Sequence, residues 1–297
     1  MNSPFIRKVI RYLSARNVFN FLSDEKYLKI FYWANMGKKL NLDNPQTYNE
    51  KLQWLKLYNR KKEYTKLVDK YEAKKIVADI IGDQYIIPTL GVWKNFGDID
   101  FNSLPNQFVL KTTHDSGGVV ICRDKETFDI EKAKRIIEKS QKNNFYLMGR
   151  EWPYKDVEPR IIAEEYKEDA KTEELRDYKF FCFNGSAKAL FIASDRQSDS
   201  ETKFDFFDMD FNHLDFTNGH PNADVYPDPP EKLKLMQELA EKLSVGFPHV
   251  RVDFYEVNGK VYFGELTFFH WSGIVPFDPE EWDYKFGSMI ELPQKTQ

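Results

Sequence analysis

Arg251-Val252-Asp253-Phe254-Tyr255-Glu256-Val257-Asn258-Gly259-Lys260-Val261-Tyr262-Phe263-Gly264-Glu265-Leu266-Thr267 is the stretch on which the reading of this chain turns. Asn258-Gly259 between two runs of β-branched and aromatic residues predicts a tight hairpin, whose two central residues need positive φ. Side chains alternate across a strand, so Asp253 and Glu265 fall on neighbouring antiparallel strands and share one face with Arg251 and Thr267. Two carboxylates brought together on one face repel. They need compensation, either from an ordinary surface ion pair or from a divalent cation. Magnesium takes one or two carboxylates plus phosphate oxygens, and Arg251 on the same face suits a transferred phosphoryl group.

Working outward, Asn184-Gly185 marks a second hairpin, joining strands at 178–183 and 187–193, with a further strand at 204–209. Leu233, Met236, Leu239 and Leu243 give the stretch 230–243 one apolar helical face. Upstream, short apolar runs predict strands at 85–88, 91–93, 108–111, 118–122 and 161–166, with a helix over 132–139. Thr47 and Glu50 have capping-box spacing and open a helix carrying Leu52, Leu55 and Tyr58. Asp69 caps the next helix, which stops at Gly82. The sum is an α+β chain with much antiparallel pairing.

Lys111 stands at a strand end ahead of Thr112-Thr113-His114-Asp115-Ser116-Gly117-Gly118. Such a turn offers backbone N–H groups at Ser116, Gly117 and Gly118 to phosphate oxygens while the ammonium neutralises charge; the alternative is an ordinary hairpin. It is no Walker loop, since the eight-residue pattern and the following helix are absent. Glu164 and Glu165 end an apolar strand, as a solvated edge or as acceptors for an adenine amino group and a ribose hydroxyl. Lys179 reads either as a solvated strand lysine or as a γ-phosphate contact, and Asp195-Arg196 is a weaker candidate. Ser272-Gly273 follow the carboxylate strand closely enough to line an acceptor site. His270 and Trp271 before them suit either stacking on a sugar or packing. The five histidines show no zinc-ligand spacing, and Cys122 and Cys182 lie in apolar strand contexts that suit buried thiols.

The order of these pieces is Asp69-Lys70, Lys111 with its glycine turn, Glu164-Glu165, Asp177 and Lys179, Arg251-x-Asp253, then Glu265-x-Thr267. It resembles the ATP-grasp superfamily, and more closely the TupA-like ATP-grasp proteins found with bacterial surface-polysaccharide genes. The resemblance runs from about Asp69 to the C-terminus and extends less specifically to the helical front. Its best-matched motifs are Arg-Val-Asp-Phe-Tyr…Gly-Glu-Leu-Thr-Phe and Pro-Glu-Glu-Trp-Asp-Tyr-Lys at 279–285. It implies a nucleotide clasped between two antiparallel sheets, with Lys70 and Lys111 on ATP phosphates and Glu164 and Glu165 at adenine and ribose. Asp253 and Glu265 would bind Mg²⁺. Where the superfamily usually has an Asn as third metal ligand, this chain has Thr267. The usual leading α/β domain is shortened or replaced by basic helices.

Length bounds the rest: 297 residues suggest roughly two structural units. No apolar run approaches the ~18 residues of a membrane span, and two cysteines argue against a disulfide scaffold. The start lacks the apolar core and small-residue cleavage site of a secretory signal, so a reducing, cytoplasmic setting is expected. A net charge of −4 conceals a division, because residues 1–75 hold 17 Lys and Arg against 7 Asp and Glu. Phe5, Ile6, Val9, Ile10 and Leu13 form a helical stripe with Arg7, Lys8 and Arg11 off it. A second helix carries Tyr27, Leu28, Phe31, Tyr32 and Trp33. Such a front suits either an anionic membrane surface met through residues 1–40 or solvated cover for the body. Nucleic acid is not expected, since no recognition motif accompanies the charge.

The expected division is a basic helical region over 1–66 and an ATP-grasp body over 67–297. The expected activity is an ATP- and Mg²⁺-dependent carboxylate–amine ligase acting on a uronic acid of a bacterial capsular or cell-wall polysaccharide, or its precursor. The alternatives are a phosphotransferase acting on a glycan hydroxyl, a glycosyltransferase, and a non-catalytic docking module.

Overall fold

A computed structural model describes residues 3–170, 175–194 and 201–295. Helix α1 (Pro4–Ser14) starts on a proline, whose fixed φ suits a first helical turn. Helix α2 (Asp24–Met36) ends where Gly37 takes φ +74°. The Thr47 hydroxyl accepts from the Glu50 N–H and the Glu50 carboxylate accepts from the Thr47 N–H, so the expected capping box opens α3 (Tyr48–Tyr58). After α4 (Glu63–Val68), Asp69 Oδ1 accepts from the Tyr71 and Glu72 N–H groups ahead of α5 (Glu72–Ile81). The strand expected at 85–88 does not form. Residues Asp83–Tyr85 make a 3₁₀ turn, and Pro88, which has no N–H for a ladder, lends only its carbonyl to Glu165 N–H.

The first sheet holds β1 (Thr89–Trp93), β2 (Phe108–Thr112), β3 (Val119–Cys122) and β4 (Ile161–Glu165) in the order β1-β4-β2-β3, every pair antiparallel. Alternation decides its faces. Phe108, Leu110, Ile161 and Ala163 pack with Ala133 and Ile137 of α6 (Ile130–Gln141), in a core of their own. Val109, Lys111, Val119, Ile121 and Glu164 therefore lie on the opposite face and line a cavity.

The second sheet is built from β5 (Asp177–Phe183), β6 (Ser186–Ser194), β7 (Lys203–Phe207), β9 (His249–Val257) and β10 (Lys260–Thr267), in the order β10-β9-β5-β6-β7. A two-residue strand β8 (Thr217–Asn218) pairs separately with β11 (Phe277–Asp278). Both Asn-Gly pairs make the expected hairpins: φ is +48° and +83° at Asn184-Gly185, and +49° and +73° at Asn258-Gly259. Helix α7 (Leu233–Ser244) buries Met236, Leu239, Ala240 and Leu243 behind the sheet. On the other face, Phe181 and Phe183 pack against Tyr48 of α3 and Phe286 of α8 (Glu281–Ser288). That same face becomes charged farther along, at Asp177 and Lys179 of β5 and at Arg251 and Asp253 of β9.

The 279–285 motif owes its place to this packing. Asp283 of α8 is buried and accepts from the Asn49 backbone N–H at 3.0 Å. Gly287 lets α8 press on the start of α3, because a Cβ there would stand 2.2 Å from Gln46 O. Buried residues of α2, α3 and α4 form one continuous core with the second sheet. Residues on both sides of 66/67, among them Tyr64, Leu67 and Val68, share that core.

Candidate active site

On the second sheet, strand pairing sets Glu265 opposite Asp253, Thr267 opposite Arg251, and Lys179 opposite Asp253 from the other side. Arg251 donates from Nε and Nη2 to the two oxygens of Asp253, at 2.7 Å each, and from Nη2 to Glu265 Oε1 at 3.3 Å. Lys179 Nζ donates to Asp253 Oδ2 at 2.5 Å and to Asp177 Oδ1 at 3.2 Å. Burial alone would raise the Asp253 pKa, since it is 0 % exposed. The charges of Arg251 and Lys179 outweigh burial and hold the carboxyl below its ordinary value. Burial likewise opposes the Arg251 charge, and Asp253 and Glu265 overcome it.

Arg251 Nη1 also meets His270 Nδ1 at 2.8 Å. A guanidinium can only donate, so Nδ1 is the acceptor and Nε2 carries the proton toward Asn218 Oδ1, 3.0 Å away. Burial, reinforced by the positive charge of Arg251, holds His270 well below its ordinary pKa and keeps the ring neutral. Arg251 thereby commits four of its five N–H groups within the protein.

Across the cleft, Glu164 receives Lys111 on Oε2 at 2.6 Å and Lys74 on Oε1 at 2.5 Å. Burial would raise its pKa, but the two ammonium groups drive it down to about 2. Lys74 is tied further to Ile87 O and Thr89 Oγ1 at 2.7 and 2.9 Å. Lys70 Nζ donates to Asp115 O at 2.7 Å; burial lowers its pKa, with Glu265 across the cleft as the largest opposing charge.

The glycine turn is anchored rather than loose. Asp115 Oδ2 accepts from Ser140 Oγ of α6 and from Asn143 Nδ2, at 2.7 and 2.9 Å. Gly118 is required by close approach, because a Cβ would stand 2.2 Å from Thr112 Oγ1 and 2.3 Å from Ser140 Oγ. Ser116 and Gly117 form the exposed tip.

The two halves face a cavity of about 370 Å³. Lys70, Lys111, Ser116, Glu164 and Glu165 line it from the first half, with apolar walls at Ile87, Val109, Val119 and Ile121. Asp177, Lys179 and Glu265 line it from the second. Asp253 and Arg251 lie beneath that wall. Glu165 turns to Lys167 at 2.7 Å. Asp195 and Arg196 fall outside the described residues. The donors are hard carboxylate oxygens of the kind magnesium takes: Glu265, with side-chain exposure of 42 %, opens to the cleft, whereas both Asp253 oxygens are held by Arg251 and Lys179 beneath the wall. Among the described residues no three His, Cys, Asp or Glu side chains converge, so the protein would supply one or two ligands and leave the rest to water and phosphate.

Three contributors lie outside the motifs of the sequence. Lys74 sits in the first turn of α5, while Lys70 precedes that helix, so no helical spacing links the two cations. Asn218 is likewise isolated in sequence. The third is a support beneath residues 270–273. There Trp271 and Ser272 take φ +48° and +54°, left-handed values that cost about 1–2 kcal/mol each for non-glycine residues. Lys56 Nζ, fully buried, donates to Ser272 O, Ser272 Oγ and Gly149 O at 2.8, 2.7 and 2.7 Å. Gln53 Nε2 donates to Ser272 O and Gly273 O at 2.9 and 2.7 Å. Both come from α3, on the sequence side of the charge division least expected to serve the site.

Solved structures similar to this chain include D-alanine–D-alanine ligase from Bacillus anthracis complexed with ATP, at 15 % identity and TM-score 0.40, covering 68 % of this chain and 53 % of that one. An L-amino acid ligase from Bacillus licheniformis matches at 13 % and 0.43, over 90 % and 56 %. The biotin carboxylase domain of the Hydrogenobacter thermophilus 2-oxoglutarate carboxylase, in complex with MgADP, ADP and bicarbonate, matches at 16 % and 0.44, over 77 % and 47 %. The chain spans about half the length of each. No curated protein matches it. Two antiparallel sheets facing each other across a cleft of lysines and carboxylates accord with the family whose model matches residues 50–291, and the chain belongs to that family, the TupA-like ATPgrasp proteins.

Proposed function

We propose that the protein is an ATP- and Mg²⁺-dependent ligase that joins a carboxylate to an amine through an acyl phosphate. The observation that carries this reading is the meeting, across one cavity, of a lysine-and-glycine wall with a wall of carboxylates held by Arg251 and Lys179. Lys70, Lys111 and the turn at Ser116, Gly117 and Gly118 take the phosphates, the Ser116 N–H being held within the turn by Asp115 Oδ1 at 2.7 Å, and the apolar wall takes adenine, with Glu164 and Glu165 beside base and ribose. Asp253 and Glu265 hold magnesium, with Thr267 next along the strand. The ion, when bound, offsets the repulsion between an incoming carboxylate and the triphosphate.

In the first step a substrate carboxylate oxygen attacks the γ-phosphorus, and the bond to the β,γ-bridging oxygen breaks to release ADP. In the second the amine nitrogen attacks the acyl carbon, phosphate leaves, and the nitrogen gives up its proton. Arg251 and Lys179 hold the charge that develops during transfer, by positioning and electrostatics rather than covalent chemistry.

The likeness to proteins found with surface-polysaccharide genes supports a uronic acid of a capsular or cell-wall glycan, or its precursor, as the carboxylate. ADP and phosphate release should be measured against a panel of uronic acids and amines. Equal ADP and free phosphate support ligation. ADP with a phosphorylated product and no free phosphate would instead mean a phosphotransferase, and stabilisation by UDP-sugars but not by ATP would mean a glycosyltransferase.

The front is proposed to bring the enzyme to the anionic inner face of the plasma membrane through residues 1–40. Its helix is turned unusually: Arg7 and Arg11 donate to Ala34 O and Asn35 O at the end of α2, at 2.8–3.1 Å, so these cations face the protein. Phe5, Ile6, Val9 and Tyr12 face outward instead, Phe5 being 73 % exposed. Contact would rest on apolar insertion with Lys8, Arg16, Lys26 and Lys39 as further cations, since Lys29 pairs with Glu25 and Lys38 with Glu280. Among the described residues no helix is long and apolar enough to cross a membrane.

A further inference from the structure

The turn 270–273 is an expensive piece of backbone. Trp271, Ser272 and Gly273 run through three consecutive left-handed conformations, two of them at residues that disfavour it. The turn is held from three sides. Lys56 and Gln53 of α3 bind its carbonyls from positions with no solvent exposure. The Ser272 hydroxyl reaches the buried Glu151. Gly149 leaves room for Ser272, whose Oγ a Cβ there would approach to 2.2 Å, and Gly273 leaves room for Gln53.

What this outlay produces is the placement of one side chain. The Trp271 indole rests on Gly219, where a Cβ would come within 2.9–3.1 Å of the ring, and it remains 38 % exposed. A tryptophan meant only for packing would be covered, and one merely tolerated at the surface would need no left-handed backbone. Its neighbours connect it to the cleft. His270, the preceding residue, receives Arg251, which in turn holds Asp253 and Glu265. Phe204, whose ring is stacked 6.0 Å away, pairs in the sheet with Ala193, a residue that lines the cavity. The His220 ring lies 5.9 Å from the indole.

We propose that Trp271 is the stacking platform of an acceptor subsite for a pyranose ring, and that Lys56 and Gln53 are positioning residues that hold it beside the Arg251 cluster. This deepens the glycan reading above and rests on it. The electron-rich indole face suits the row of C–H groups on one side of a pyranose. A nucleotide base already has its apolar wall at Ile87, Val109, Val119 and Ile121 in the cavity.

The test uses the full chain and ligand-detected saturation-transfer NMR with methyl glucuronide, methyl glucoside and acetate, in parallel with ADP release by uronic acids. Both pyranosides should receive saturation from the wild-type protein and acetate should not. Trp271→Ala should weaken pyranoside binding about tenfold, the size of a lost aromatic stacking contact, and Trp271→Phe less. Lys56→Met should also weaken it while stabilisation by ATP·Mg²⁺ persists; loss of both effects would make Lys56 a residue of the fold only and overturn its assignment. Pyranoside binding absent from wild type, or unchanged in a folded Trp271→Ala, overturns the platform. Trp271-dependent binding without ADP release by any uronic acid would uphold the platform and sink the ligase reading. Uronate-driven ADP release equal in wild type and Trp271→Ala would do the reverse.

Discussion

Replacing Asp253 by Asn and, separately, Glu265 by Gln should separate stability from function at one cross-strand pair. Asp253 is fully buried and accepts three short bonds, two from Arg251 and one from Lys179. In Asp253→Asn one oxygen becomes an NH₂ that faces donors on every side, and two cations lose their shared counter-charge. Breaking such a buried pair costs about 3–5 kcal/mol, a large part of the ~5–15 kcal/mol that holds a domain together. At roughly 2–4 °C per kcal/mol, the melting temperature should fall by about 10 °C. Glu265 meets Arg251 only at 3.3 Å with a half-open side chain, so Glu265→Gln should cost about 0–1 kcal/mol and shift melting little.

Function should not follow that order. Both variants should lose the stabilisation by ATP·Mg²⁺, which is about 2.7 kcal/mol for wild type at a hundredfold excess over Kd. Both should slow ADP release by about 10²–10³-fold, the size of one missing electrostatic contact in the transition state. The assay is a thermal melt with and without ATP·Mg²⁺, followed by ADP release. A wild-type melting temperature for Asp253→Asn would refute the energetic account of the cluster. Full ADP release by Glu265→Gln would refute the role given to the carboxylates.

Gly118→Ala should cost about 1–3 kcal/mol by overpacking and reduce ATP·Mg²⁺ stabilisation, because the new methyl collides with Thr112 and Ser140 at the base of the phosphate turn; an unshifted melt with intact nucleotide binding would count against that turn. The Glu164 carboxyl titrates near 2 in the fold against an ordinary 4.5, so its contribution is complete above about pH 4.5 and disappears as pH falls toward 2. Because burial lowers the Lys74 pKa despite this partner, the net loss should be about 1–3 kcal/mol, and Glu164→Gln should flatten the acid limb of melting temperature against pH. Phe5→Ser with Val9→Ser should abolish co-sedimentation with anionic liposomes while leaving the melt unchanged, and unaltered binding would reject α1 as the docking element.

Much of the frame was legible because it depends on local rules. Positive φ at Asn-Gly marks both hairpins, but alternation alone would set Asp253 opposite Gly264; a bulge between Phe263 and Glu265 shifts the register and brings Glu265 opposite Asp253 and Thr267 opposite Arg251. The strand predicted at 85–88 does not form because the apolar run ends in a proline, which cannot donate to a ladder. Arg7 and Arg11 lie off the α1 stripe, a position that periodicity leaves open to lipid headgroups or to solvent. They cap α2 instead, because the carbonyls they meet come from another helix and no periodicity within α1 can reveal them.

The same division holds at the site. The sequence by itself determined where the two hairpins turn, where the glycine turn follows Lys111, and that the front is basic, since each follows from chain order, backbone geometry and charge, whereas a bulge in the structure sets Glu265 opposite Asp253. Only the tertiary structure decided what those residues meet. It gives both Asp253 oxygens to Arg251, turns His270 into a neutral acceptor, sets Lys74 and Lys111 on one carboxylate, and brings Lys56 from α3 under the strained turn at Trp271. The physical reason is that alternation fixes a side chain's direction, whereas its partners and its charge state depend on burial among segments distant in sequence.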